Sequence, residues 1–390
     1  MRKRIYLDYS ASTPVDPKVL RAMLPYFKKE FGNPSSRHGY GQRASAAIEH
    51  ARTQVANFLG CAAQEIIFTG GATESNNLAI QGIVGQKRAT KPHVITSAIE
   101  HESVLEVCRT LEKEGAAEVS YLTPDAEGII EVKEVERAIR PNTTLVSIGY
   151  ANSVIGTIQP IAEIGKLLSQ YNIQNTTYKI LFHTDAVQAA LYLSCDVKKL
   201  GVDLLTLSAH KLYGPKGVGA LFVKTGVALR PLLFGGGQEN DQRAGTQNVP
   251  GIVGLGTAIQ ELQNPRMALT AIKIRQLRDR LTKTILKKIS GAALSGSSQK
   301  RLPSNVHIRF EGCQARDIAF LFDQKGIAVS TGSACSERSQ EPCHVLLAMG
   351  FSAGEALSGV RITLGRYTTA EEIDAVAEKL PAIITQLRKS

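Results

Sequence analysis

Short apolar runs, each closed by a polar break, recur along the first two thirds of the chain and alternate with stretches of helical periodicity. Residues 65–69, 93–97, 144–150, 180–182, 202–207 and 218–223 are such runs, of a length that suits buried strands. Helices are predicted near 18–30, from the Gly70-Gly71 turn through 78–84, after Glu100, and up to Tyr171. This alternation, from about residue 15 to 255, predicts an α/β architecture: a mixed, mainly parallel sheet between helices, with its ligand site at the strand ends. The pattern changes near residue 256. One long helix is predicted over 259–289, followed by shorter strands and helices with Ser/Gly-rich connections such as 295–298. The expected division is a large domain over 15–255 and a small domain made of 1–14 and 256–390.

The polar breaks carry the candidate chemistry. After the run 202–207 comes Ser208-Ala209-His210-Lys211-Leu212-Tyr213-Gly214-Pro215-Lys216-Gly217. A lysine held between rigid elements in partly apolar surroundings loses proton affinity, and a neutral amine can condense with a carbonyl. Taken alone, Lys211 also fits a solvated turn. The run 180–182 leads into His183-Thr184-Asp185-Ala186-Val187-Gln188, which puts Asp185 at the end of a neighbouring strand. Pyridoxal 5′-phosphate (PLP) needs such a pair, because its aldehyde is stored on a lysine and its ring nitrogen is kept protonated by a carboxylate.

Gly70-Gly71-Ala72-Thr73-Glu74-Ser75 opens a helix whose first amides suit a phosphate, although an ordinary capped helix has the same look. His101 falls at a strand-to-helix junction facing the cleft of such a sheet. Two cysteines compete as nucleophile. Cys335 lies among small residues in Ser330-Thr331-Gly332-Ser333-Ala334-Cys335, whereas Cys343 follows Pro342 at the start of a helix through Met349, where the dipole favours a thiolate. Reach favours Cys335, since helical hydrogen bonds tie Cys343. Arg361 offers a planar fork that binds an α-carboxylate with two hydrogen bonds, or that serves in a core-edge salt bridge.

Composition narrows the class. The 390 residues are 43% apolar, enough to bury a large core. No apolar region follows the basic start Met1-Arg2-Lys3-Arg4, and no run is long enough to span a bilayer, so a soluble cytoplasmic protein without membrane contact is expected. The six cysteines lack C-x-x-C spacing, which argues against a disulfide framework or a metal site. A net charge of +11 suggests acidic partners, yet the basic residues form no arm of the kind that binds nucleic acid directly.

The strings around Asp185 and Lys211 closely resemble those of the cysteine desulfurases of the IscS/NifS type, and the likeness runs from about Tyr6 to Thr369. It implies a fold-type-I PLP transferase with a seven-stranded large-domain sheet and a small α+β domain. In that family the Gly-Ala-Thr-Glu-Ser turn cradles the PLP phosphate, which points to Ala72 and Thr73. Ser208 and His210 map to further phosphate contacts, Asp185 to the ring nitrogen and Gln188 to the ring hydroxyl. His101 maps to the imidazole that stacks on the ring and moves protons. Asn33 and Arg361 map to the substrate-carboxylate contacts, and Cys335 to the persulfide-forming cysteine.

Thr246, in Arg243-Ala244-Gly245-Thr246, maps to a phosphate contact reaching across a homodimer. The resemblance thus implies conversion of L-cysteine to L-alanine, with sulfur passed to an acceptor protein for iron–sulfur cluster assembly or tRNA thiolation. A selenocysteine lyase or related aminotransferase, and a sulfur-relay protein without turnover, are the other readings. The chain departs from the family at Asn152-Ser153-Val154, where Asn-Asn-Glu is usual, and at Asn240-Asp241, where Arg-Gly is commoner. The polar stretch 172–179 reads as a surface insertion.

Overall fold

The computed structural model describes residues 4–86, 91–174, 179–332 and 341–389. Its strands are β1 (Ile5–Tyr6), β2 (Ile66–Thr69), β3 (His93–Ser97), β4 (Glu118–Leu122), β5 (Thr143–Ser147), β6 (Leu181–Asp185), β7 (Leu204–Ser208), β8 (Gly219–Val223), β9 (Ala292–Leu294), β10 (Asn305–Phe310), β11 (Ile327–Ala328) and β12 (Gly359–Thr363). Seven of them form one sheet in the order β2-β8-β7-β6-β5-β3-β4. Pairing is parallel from β7 through β4 and antiparallel only at β8.

Helices cover both faces, so β3, β5 and β7 are buried at every position and their sequences read as continuous rather than alternating runs. Because β3, β5, β6 and β7 run the same way, Ser97, Ser147, Asp185 and Ser208 end on one edge. That edge faces the site.

A second sheet, β12-β10-β9, is antiparallel. One of its faces, carrying Val306, Ile308, Val360 and Ile362, packs with Leu7, Leu281, Phe322 and Leu380 into a separate core. The other face is polar and buried: Asn305, His307, Arg361 and Thr363 all lie there, in register pairs Asn305 with Thr363 and His307 with Arg361. The amino-terminal segment is laid along this unit through β1, which pairs in parallel with β11, and through an Asp8–Thr363 bridge.

Two predicted helices are each divided. In place of one helix over 18–30, the chain forms Pro17–Met23 and Pro25–Lys28, since Pro25 has no N–H to carry the first helix onward. In place of 259–289, it forms Val249–Leu262 and Arg266–Lys288, broken ahead of Pro265. The first of these packs into the large core through Val249, Ile252, Leu255 and Ile259. The predicted insertion begins later than the sequence suggests. Helix Ile161–Gln174 runs past Tyr171, and the Asn172 side chain bonds both the N–H and the carbonyl of Ile180; residues 175–178 lie outside the described residues.

Candidate active site

A cleft of about 940 Å³ opens at the carboxyl edge of the large sheet. Ala72, Thr73, His101, Asp185, Gln188, Ser208, His210, Lys211 and Arg361 all line it. Nine of the residues singled out in the sequence therefore meet in one place, although they come from five separate segments of chain. Asn33 and Thr246 do not line the cleft. Both are exposed, and Asn33 Oδ1 accepts from the Ser35 N–H in a local turn. Cys335 lies outside the described residues.

Lys211 closes the single 3₁₀ turn Ala209–Lys211 that follows β7, so its backbone is fixed by a buried strand. Its Nζ donates to the carbonyls of Ser10, at 2.5 Å, and Ala11, at 2.7 Å. Gln188 Nε2 donates to the same Ser10 carbonyl at 3.1 Å. Tyr213, two residues on, is buried with φ 63°, an unfavourable conformation for a bulky residue. Thr13 Oγ1 accepts from its N–H, its hydroxyl accepts from the Arg366 N–H at 2.7 Å, and the Arg366 guanidinium stacks 3.8 Å over its ring. These contacts hold the lysine turn in one conformation.

Asp185 ends β6, and both its oxygens are placed. Oδ1 accepts from the Val187 N–H at 2.9 Å and Oδ2 from Asn76 Nδ2 at 2.8 Å. Beneath it His183 is buried between Ser147 Oγ and Thr206 Oγ1, and burial pulls its pKa down to about 4, so it stays neutral. His101 caps helix Glu102–Lys113: its Nδ1 accepts from the Ser103 N–H, which leaves the proton of the neutral ring on Nε2. Burial, with Lys211 and Lys216 nearby, pulls His210 down to about 4. Helix Ala72–Val84 begins after Gly71, whose φ of 148° turns the chain sharply so that the first-turn amides face the cleft.

Arg361 is 2% exposed. Its Nη2 donates to Asp8 Oδ1 at 2.9 Å and its Nη1 to the Ser153 carbonyl at 3.3 Å. The departure at Asn152-Ser153-Val154 now has a local explanation. Asn152 is committed to structure: Nδ2 donates to the Ile99 carbonyl and Oδ1 accepts from Val154 and Ile155 N–H. Ser153 faces the cleft, while Val154 packs in an apolar cluster with Ile99, Cys343 and Leu346. Asn240 and Asp241, with Glu239, are three consecutive residues at φ 55°, 63° and 48° respectively, a region that Asn and Asp tolerate best. Cys343 is the residue before helix His344–Ala348 and is buried; burial pushes its thiol up, which outweighs the expected help from the helix start.

Several contributors were not singled out in the sequence. Asn76 holds Asp185, Asp8 holds Arg361, and the Ser10 and Ala11 carbonyls hold Lys211. Glu100 is buried, bonded to Ser97 Oγ and to the Gly149 N–H, and burial pushes its carboxyl up to about 7. All of them fall within the span of the resemblance, Tyr6 to Thr369, but nothing in one sequence marks these contacts.

The donor set fits PLP. The first-turn amides and two half-buried side chains, His210 and Lys211, sit with a carboxylate aligned by an asparagine whose own Oδ1 is buried and unpartnered among the described residues. A lysine after one strand and an aspartate ending the next, facing a helix start, define a fold-type-I PLP enzyme. The chain matches the Aminotransferase class-V model over residues 5–376 and belongs to that family. It is 45% identical over 388 residues to "Cysteine desulfurase IscS" of Dictyoglomus turgidum, covering 100% of this chain and 96% of that protein. The solved structure of a "NIFS-LIKE PROTEIN" superposes with a TM-score of 0.91 at 36% identity, covering 98% of this chain and 100% of that one. "SspA in complex with cysteine" superposes at 0.82 with 40% identity, covering 94% and 100%.

Proposed function

We propose that the protein is a PLP-dependent cysteine desulfurase that converts L-cysteine to L-alanine and leaves the sulfur as a persulfide on Cys335. The observation that carries this reading is the convergence of Lys211, Asp185 and Arg361 on one cleft: a carbonyl-storing amine, a partner for a ring nitrogen, and a buried fork for an α-carboxylate. Likeness to a cysteine-bound structure and to a named cysteine desulfurase supports the substrate.

PLP, when bound, supplies an electron sink for the substrate's α-carbon. Ala72, Thr73, Ser208 and His210 would hold its phosphate, Asp185 its ring nitrogen and Gln188 its ring hydroxyl. Arg361, and Asn33 if its loop closes on the cleft, take the substrate carboxylate. Lys211 and His101 move protons: His101 offers Nε2–H to the cleft because Nδ1 is occupied by Ser103. In the net sulfur step the Cys335 sulfur forms an S–S bond while the substrate's Cβ–S bond breaks. The carbon side gains a proton and leaves as alanine, and the terminal sulfur remains on the enzyme.

Residues 15–255, with the rest of helix Val249–Leu262, which packs into the same core, act as the PLP-binding domain, and 1–14 with the chain after that helix act as the small domain that brings Arg361 and Cys335 to it. Two copies pair, so that each Thr246, exposed on its own chain, serves the phosphate of the other. The net charge of +11 suits an acidic acceptor protein, an iron–sulfur scaffold or a tRNA-thiolation protein. Among the described residues no helix is long and apolar enough to cross a membrane. Purified protein incubated with L-cysteine and a thiol reductant is expected to release alanine and sulfide in equal amounts. Alanine and selenide from selenocysteine, with no turnover of cysteine, would replace this reading with a lyase.

A further inference from the structure

The polar face of the small sheet presents Asn305, His307 and Arg309 from β10 beside Thr363, Arg361 and Gly359 from β12. His307 stands directly across from Arg361, and paired residues of an antiparallel ladder project from the same face with Cβ atoms about 5 Å apart. It is 0% exposed, and neither ring nitrogen has a hydrogen-bond partner among the described residues. Such an imidazole is costly to bury, so its place needs a reason.

The surroundings supply one. Burial, and after it three arginines, Arg301, Arg361 and Arg309, pull the His307 pKa down to about 3. The ring is therefore an uncharged body among three guanidinium groups. Its berth depends on Gly359, where a Cβ would fall 2.5 Å from His307 Cε1. Each neighbouring arginine is otherwise engaged: Arg301 with Ser297, Ser295 and Asn305, and Arg309 with Glu355 and the Phe351 ring. Arg361 Nε, on the arm nearest the sheet, makes no hydrogen bond among the described residues. The arm is held by packing and by what its fork grips.

We propose that His307 is a positioning residue for Arg361: seated over Gly359, its neutral ring fills the space into which the arginine arm would otherwise swing, and so keeps the fork on Asp8 and the Ser153 carbonyl at the cleft wall. The inference rests on the proposed role of Arg361 as the substrate-carboxylate site. His307 itself touches no substrate. A slack arm should weaken recognition of the carboxylate and leave recognition of the amine alone.

L-Alanine and ethylamine differ by that carboxylate, so titrating the PLP-loaded protein with each, and following the cofactor absorbance, separates the two. His307→Ala is expected to weaken L-alanine binding about tenfold and to leave ethylamine binding unchanged, because small displacements of a positioning group are felt only by what it positions. Gly359→Ala, which pushes the ring from the other side, should act in the same direction. His307→Gln, uncharged and of similar reach, should restore most of the affinity. KM for L-cysteine should follow the alanine series more closely than kcat. Equal weakening of alanine and ethylamine in His307→Ala, or no change in either, would overturn the proposal. A wild-type protein that shows no absorbance change with L-cysteine would instead overturn the reading of the site as a whole.

Discussion

Arg361 Nη2 lies 2.9 Å from Asp8 Oδ1, an ion pair that joins residues 353 positions apart. The arginine is 2% exposed and the aspartate 19%, so a carboxylate of the chain already answers the charge that the substrate carboxylate is to meet. Asp8 reaches this place because β1 pairs with β11 and Asp8 bridges to Thr363, two residues beyond Arg361 on β12.

Asp8→Asn keeps a side chain that can accept a hydrogen bond but removes the balancing charge. Breaking one partner out of a buried pair costs about 3 kcal/mol or more, so the melting temperature should fall. The uncompensated guanidinium should then bind L-alanine several-fold more tightly in the absorbance titration. Weaker alanine binding would mean that Asp8 chiefly orients Arg361 and does not compete for it.

Asp185→Asn tests the electron-sink assignment. Val187 N–H can still donate to the amide oxygen, so the fold and PLP content should survive. Alanine formation should drop by about a hundredfold or more, since the ring nitrogen loses the carboxylate that keeps it protonated. A variant within a few-fold of wild type would remove Asp185 from the mechanism.

Glu100 makes stability depend on pH. Burial pushes its carboxyl from the ordinary 4.5 up to about 7. A carboxyl that holds its proton more tightly when folded gives its stabilisation in full below pH 4.5 and loses it as pH rises through about 7. Glu100→Gln, neutral throughout and able to donate to Ser97 Oγ while accepting from Gly149, should flatten this loss. Melting temperatures measured from pH 5 to 8 should fall for wild type relative to the variant; parallel curves would contradict the assignment.

Glu239 anchors the glycine loop that carries Arg243 and Thr246. Its carboxylate takes both Nη atoms of Arg52, at 2.8 and 2.9 Å, together with the Phe68 N–H and Gln247 Nε2. Glu239→Ala leaves the buried Arg52 guanidinium with only the exposed Glu49 as a counter-charge and should cost about 3 kcal/mol. Denaturant unfolding of Arg52→Met/Glu239→Leu should show a smaller loss than the two single changes summed, because the double change leaves no buried charge alone.

Lys211, Asp185 and the 72–73 turn were legible in the sequence because each chemical residue directly follows an apolar run or opens a helix, so local pattern alone places it at a strand end. The same pattern sets His101 at a strand-to-helix junction; the resemblance added Gln188, Ser208 and His210, which line the cleft, and Asn33 and Thr246, which do not. What local pattern could not show was pairing at long range: the Asp8–Arg361 bond, the Asn76–Asp185 bond and the His307–Arg361 register depend on how distant strands meet. The helix breaks at Pro25 and Pro265 were written in the sequence, but apolar periodicity continued across them and masked the missing N–H. Cys343 was read from its place at a helix start, whereas its burial against Val154 and Leu346 decides its thiol chemistry.

The central claim is that sulfur from L-cysteine is captured on Cys335. Brief exposure of the PLP-loaded protein to L-cysteine, alkylation to trap persulfides, and mass mapping of the peptides tests it directly. An added sulfur on the Cys335 peptide, absent in Cys335→Ser and unchanged in Cys343→Ser, is the predicted result. Persulfide on Cys343 in the Cys335→Ser protein, or alanine release with no persulfide on any cysteine, would contradict it.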